Sequence, residues 1–194
     1  MGEEYTGQKF KTVLKDGEYI EDSRVFVIID YGERFSKMGI LPSEKGGHAG
    51  NMSFRNDKGF VITAVGVDKG KLTPRHFVQV TKCNIDTKKV FAEGDFKPSS
   101  ETLTHYLIYR DRKDVNAIVH VHDPLVLENA KELKVKMTPK EHPYGTVELA
   151  HDIEKTLRGE KFIAVRGHGV IAVGKSLWEA AKIIDTMHHN AGML

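Results

Sequence analysis

Apolar and polar positions alternate most sharply between Asp114 and Pro124, in the stretch DVNAIVHVHDP. Val115, Ala117, Val119 and Val121 alternate with Asn116, Ile118, His120 and His122. That is the period of a strand, so both histidines fall on one face, about 6.6 Å apart along the chain. Helical spacing appears instead over 23–38, where Val25, Ile28, Ile29, Phe35 and Met38 recur and Gly39 stands where a glycine often ends a helix. The same spacing predicts helices over 124–133, over 145–158 through Val147, Leu149, Ala150, Ile153 and Leu157, and after Ser176 through Leu177, Trp178, Ala181, Ile184 and Met187. Ser176 and Glu179 form a capping-box pattern for that last helix. Strands are predicted over 52–55 and 60–64 around a turn at 56–59, over 76–84 and 89–92 around Asp86-Thr87, and over 161–166 and 170–173 around His168. A helix opens near Ser99, Ser100 and Glu101. Over 1–22 the Asp16-Gly17 pair between short mixed runs reads either as a small hairpin or as a loosely docked extension.

Composition narrows the classes. The 194 residues, 40% of them hydrophobic, suffice for one substantial core. Twenty-nine basic and 27 acidic residues are interspersed, leaving a net charge of +2 and no footprint for nucleic acid or an anionic membrane. The lone Cys83 rules out an intrachain disulfide and suits a reducing compartment. No apolar run is long enough to span a bilayer, so the expected location is cytoplasmic.

Candidate chemistry centres on the histidines. Two imidazoles on one strand face can converge on a cation, and a catalytic site typically takes three protein ligands. An isolated H-x-H is more often a pair of solvated or hydrogen-bonded side chains. His168, between flanking glycines in VRGHGVIAVG, is a candidate third ligand, and Glu101 is positioned to supply a carboxylate. Ser99 and Ser100 at a helix start read as caps, with hydroxyls and free N–H groups that also suit an anion. Gly46, Gly47 and Gly50 read first as turn glycines, and His188-His189 as solvent-facing.

Four segments then occur in order: GGHAGNMSFR (46–55), KPSSETLTHYLIYR (97–110), NAIVHVHDP (116–124) and VRGHGVIAVGKSLWEAA (165–181). Together they resemble the class II aldolase/adducin family over roughly 23–189. The resemblance implies one three-layer α/β/α domain over 23–194, with a mixed, largely antiparallel central sheet and residues 1–22 outside it. It implies a metal-dependent aldolase that cleaves a phosphorylated ketose of the fuculose-1-phosphate type to dihydroxyacetone phosphate and an aldehyde. One divalent cation per chain, zinc by expectation, would be held by His120, His122 and His168, with Glu101 moving the proton. Gly50, Asn51, Gly66, Ser99 and Ser100 would hold the substrate phosphate. His48 stands where the family has a threonine and is a further candidate, and Ala64-Val65 replaces the Pro-Thr or Pro-Ser before Gly66. The chain would assemble as a homo-oligomer, a fourfold ring. The same family contains ribulose-5-phosphate 4-epimerases, methylthioribulose-phosphate dehydratases and adducin-like modules without catalysis, and these are the alternatives.

Overall fold

The computed structural model describes residues 7–17, 19–44 and 47–194. Its centre is an eight-stranded sheet made of β1 (Lys11–Lys15), β4 (Asn51–Asn56), β5 (Gly59–Thr63), β6 (Phe77–Asn84), β7 (Lys89–Glu93), β8 (Ala117–Val121), β9 (Phe162–Val165) and β10 (Gly169–Gly174). The spatial order is β1-β7-β6-β5-β4-β8-β10-β9. β1 runs parallel to β7, and the other seven strands pair antiparallel. β2 (Ser43–Glu44) and β3 (Gly47–His48) form a separate small ribbon beside the start of β4.

Helices cover both faces. On one side α1 (Arg24–Lys37), α3 (Pro124–Glu128) and α5 (Leu177–Ala191) supply Val25, Ile28, Phe35, Val126 and Ile184 to a core shared with Met52, Phe54, Val119 and Val121 of the sheet. On the other side α2 (Thr102–Asp111) and α4 (Val147–Thr156) pack Leu103, Ile108, Leu149 and Ile153 against Ile62, Val80, Ile118 and Ile171. Both faces of the central strands are therefore apolar, so β8 and β10 are buried throughout rather than alternating in exposure. The α/β fold with a mixed, largely antiparallel sheet between two helical layers is the one expected.

The helix ends follow local chemistry. Gly39, at φ +77°, leaves α1 in the left-handed region that glycine adopts at low cost. Ser176 Oγ accepts from the Glu179 N–H at 3.2 Å while the Glu179 carboxylate accepts from the Lys175 N–H at 2.8 Å. Three expectations need correction. Among the described residues no hairpin forms around Asp16-Gly17. Instead β1 extends the main sheet beside β7, and the Gln8 amide donates to the Pro98 carbonyl at 2.7 Å, so this segment is tied down next to the candidate site. The helix expected over 124–133 shortens to Pro124–Glu128, where the Asn129 side chain donates to the Leu125 carbonyl and the chain continues as turns. His188, expected to face solvent, is half-buried and lies 2.8 Å through Nδ1 from Asp123 Oδ2. The turn glycine Gly46 lies outside the described residues.

Candidate active site

β8 delivers His120 and stops; His122 follows one residue past its end, and His168 sits in the turn joining β9 to β10. Because β10 pairs with β8, that turn folds back over the strand end and brings three imidazoles together. Ring centroids lie 5.0 Å apart for His120–His122 and for His120–His168, and 4.6 Å apart for His122–His168. Gly169 makes the crowding tolerable, since a Cβ there would stand 3.0 Å from His120 Cε1 and 3.1 Å from His122 Cδ2. All three can present a ring nitrogen within 4.8 Å of the others.

The tautomer of His120 tests whether these residues fit a cation. Its Nδ1 lies 2.9 Å from the Val170 carbonyl, which can only accept, so Nδ1 carries a proton and, in the neutral ring, Nε2 presents a lone pair. That Nε2 is fully buried and has no aligned hydrogen-bond partner, although Glu101 Oε2 is 3.0 Å away. A lone pair facing a carboxylate in the interior repels it unless a proton or a cation lies between them. Carbonyl-fixed imidazoles of this kind are the usual supports of a metal site. The histidine set fits a divalent cation.

Glu101 occupies the N-cap position of α2 and is 5% exposed. Its Oε1 is 3.2 Å from His168 Nε2, so one carboxylate spans two of the imidazoles. Burial pushes the carboxyl up, but whenever His120 and His168 carry a second proton their charge and hydrogen bonds outweigh burial and hold it well below the usual carboxylate range. The group is therefore an ionised acceptor. Asn51 Nδ2 donates to Glu101 Oε2 at 2.7 Å, and Asn51 Oδ1 is 2.5 Å from His105 Nε2. The Asn51 side chain is thus engaged on both ends, with one further amide N–H that a ligand could use.

The remaining candidates gather around the same strand ends. Gly50, at φ +74°, leads into β4 where a Cβ would meet the His120 carbonyl oxygen at 2.7 Å, so only glycine lets these two backbones approach. Gly66, also at φ +74°, turns the chain after β5 with open space where a Cβ would be. Ala64 bridges Pro98, and the Ser99 N–H donates to the Thr63 carbonyl at 3.1 Å, which sets the Gly66 turn beside Ser99 and Ser100. Ser99 Oγ accepts from the Glu101 N–H at 3.3 Å in a turn just ahead of α2, so the N-cap is Glu101 and neither serine takes the capping position expected of it. His48 sits in the β2–β3 ribbon with Nδ1 3.1 Å from Ser43 Oγ. It is near enough to the Gly66 turn to act on Asp68: burial raises that carboxyl, while the Gly70 N–H, His48 and Lys71 bring it below its ordinary value.

His105, Ser53 and Tyr109 join Glu101 through Asn51, and none of these three was singled out from sequence. The signal was present, since Glu101, His105 and Tyr109 are spaced i, i+4, i+8 and so share one face of the helix that Glu101 opens.

The family model for the class II aldolase and adducin N-terminal domain matches residues 40–194. The chain belongs to the class II aldolase and adducin family. It is 32% identical to the L-fuculose phosphate aldolase of Escherichia coli, over 80% of this chain and 77% of that protein. It is 28% identical to a 5-methylthioribulose-1-phosphate/5-deoxyribulose-1-phosphate aldolase of Rhodospirillum rubrum, over 80% of this chain and 73% of that one. In structure it matches the L-fuculose-1-phosphate aldolase of Thermus thermophilus with a TM-score of 0.70 at 26% identity, covering 87% of this chain and 91% of that chain. With relatives that are named aldolases, this class II aldolase-family chain is an enzyme of the aldehyde-lyase type. Among the described residues, no helix is long and apolar enough to cross a membrane.

Proposed function

We propose that this chain is a divalent-cation-dependent aldolase that cleaves a phosphorylated ketose of the fuculose-1-phosphate type into dihydroxyacetone phosphate and an aldehyde. His120, His122 and His168 hold the cation, with zinc as the expected ion. The observation that carries this reading is the buried Nε2 lone pair of His120, turned by the Val170 carbonyl toward Glu101 beside two further imidazoles. When bound, the cation supplies a Lewis acid for the negative charge that develops on the ketose oxygens as the carbon–carbon bond breaks. Glu101, ionised and fixed by Asn51, shuttles the proton of that step.

Phosphate is held where Gly66, Ser99 and Ser100 meet, with Gly50 and Asn51 at the adjoining strand end and His48 beside the Gly66 turn. Backbone N–H groups and hydroxyls at the start of α2 favour an anion, and fixing the phosphate orients the ketose on the histidine cluster. The curated relatives reported above are named for ketose phosphates that differ in the rest of the sugar, so the phosphorylated end is the shared chemistry. The fourfold assembly that the family resemblance implies belongs to the same proposal.

Metal analysis of protein purified without chelator, together with release of dihydroxyacetone phosphate from a panel of ketose phosphates, tests the reading. About one cation per chain is expected, lost in His122→Ala. Glu101→Gln keeps the cation and loses roughly 10²-fold or more in kcat, because it preserves shape and removes the proton acceptor. Full metal content and activity in His122→Ala would sink the ligand assignment, and turnover without aldehyde release would point to the epimerase or the dehydratase alternative instead.

A further inference from the structure

The hydrogen bonds that run from Glu101 into the α2 side of the core have only one consistent direction. Glu101, as a carboxylate, accepts from Asn51 Nδ2 at 2.7 Å, which places Asn51 Oδ1 toward His105. An amide oxygen can only accept, so His105 Nε2, at 2.5 Å, carries the proton. Neutral His105 then has a bare Nδ1, and Ser53 Oγ, 2.7 Å away, must donate to it. With its proton committed, Ser53 Oγ accepts from the Tyr109 hydroxyl at 2.8 Å. Every link donates toward Glu101, and no member is more than 5% exposed. Burial keeps the imidazole neutral, pushing His105 down to about 3, as this arrangement requires.

We infer that His105 is a positioning residue for Glu101: through Asn51 it fixes the plane of the carboxylate on the histidine cluster, with Ser53 and Tyr109 holding its tautomer. It rests on the reading that Glu101 moves the proton in catalysis. Asn51 alone could rotate its amide about its side-chain bonds and offer Glu101 an oxygen instead of a nitrogen. The Nε2–H of His105 forbids that orientation, because it would face an amide N–H. Hydrogen bonds of one sense in series also reinforce one another in a dry interior.

The experiment compares wild type, His105→Leu and His105→Gln, since a glutamine amide can place an N–H where Nε2–H stood. For His105→Leu the expected result is a kcat lower by about tenfold or more with KM within roughly twofold, at unchanged cation content, because misaligned proton transfer costs rate rather than binding. His105→Gln should regain most of the lost kcat. The second readout needs no turnover. In ¹⁵N-labelled wild type at neutral pH, His105 should show a protonated Nε2 and an acceptor Nδ1, and the Asn51 side-chain amide resonance should shift in His105→Leu and return in His105→Gln. A protonated Nδ1 in wild type, or equal losses of kcat in the two variants with KM rising alongside, would overturn the inference. Should wild type release no aldehyde from any ketose phosphate, the proposed function fails while the tautomer and the amide resonance still decide whether His105 orients Asn51.

Discussion

β4 presents two kinds of core on its two faces. Met52 and Phe54 point into the apolar cluster beneath α1 and α5, with Val25, Ile28 and Ile184. Asn51, Ser53 and Arg55 point the other way, toward α2. There Ser53 is wholly buried between His105 and Tyr109, and Arg55 donates to the Val115, Tyr109 and Arg112 carbonyls at 3.0, 2.7 and 3.0 Å. Arg55 thereby occupies carbonyls that the C-terminal turn of α2 leaves over. The apolar face is tolerant of detail, because dispersion and area burial are non-directional. The polar face has no such slack, since each donor needs its one acceptor and a half-satisfied buried network is worse than none. One face supplies stability, and the other holds an orientation for the histidine cluster.

The sharpest way to separate the two faces is to remove Phe54. Its ring is 1% exposed and carries the Arg24 guanidinium 4.2 Å above it. Phe54→Ala should cost about 3 to 5 kcal/mol of unfolding free energy, the lost transfer energy plus the cavity left behind. Denaturant melts measure it. Turnover per folded molecule, assayed well below the transition, should stay close to wild type because nothing on the Asn51 side has moved. A drop in kcat matching that of His105→Leu would mean that the two faces are coupled through the strand.

Acid should expose the polar face next. His105 sits at about 3 in the fold against an ordinary 6.5, with burial as the main cause. Between those values the unfolded chain binds a proton that the folded one refuses. The favourable contribution is therefore present above pH 6.5 and drains away as pH falls toward 3. At pH 5 this one group should cost about 2 kcal/mol relative to pH 7. Denaturant melts at both values for wild type and His105→Gln isolate it, since glutamine does not titrate. Equal pH dependence in the two proteins would show that the imidazole takes its proton inside the fold, breaking the directed chain.

These two regions also differed in how much of them the sequence disclosed. Period-2 alternation marked β8 and put His120 and His122 on one side, and flanking glycines marked the turn of His168, because strand geometry and glycine conformation are local properties. The fit of the three to one cation depends on β10 folding back along β8, which no short-range pattern encodes. α2 was legible only as an unbroken helix. It is covered by both the sheet and α4, so Thr102, Leu103, Thr104, His105, Leu107, Ile108 and Tyr109 are all buried and no polar face is left to show which way it points. Ser53 looked like an ordinary strand residue until the pairing of β4 with β8 set it under His105. The parallel docking of β1 on β7 was hidden for a related reason, since Asp16-Gly17 carries a strong local turn signal while the partner strand lies more than 70 residues away.

The mildest expected effect lies at the far end of the chain, in Tyr109→Phe. The ring would keep its place, 5.2 Å from Phe60 by centroid and 4.8 Å below the Arg55 guanidinium, so the apolar contacts persist. What disappears is one hydroxyl that donates to Ser53 Oγ, leaving that oxygen without an incoming donor but still committed to His105. A single neutral hydrogen bond of this kind is worth about 1 kcal/mol, the expected loss of stability. The Ser53 hydroxyl still donates to His105 Nδ1 and so still holds the tautomer that orients Asn51, so kcat should fall by no more than about threefold. Chemical denaturation and steady-state kinetics on the same preparation measure both. A loss of turnover as large as that of His105→Leu would show that Ser53 cannot hold the His105 tautomer without the Tyr109 donor behind it.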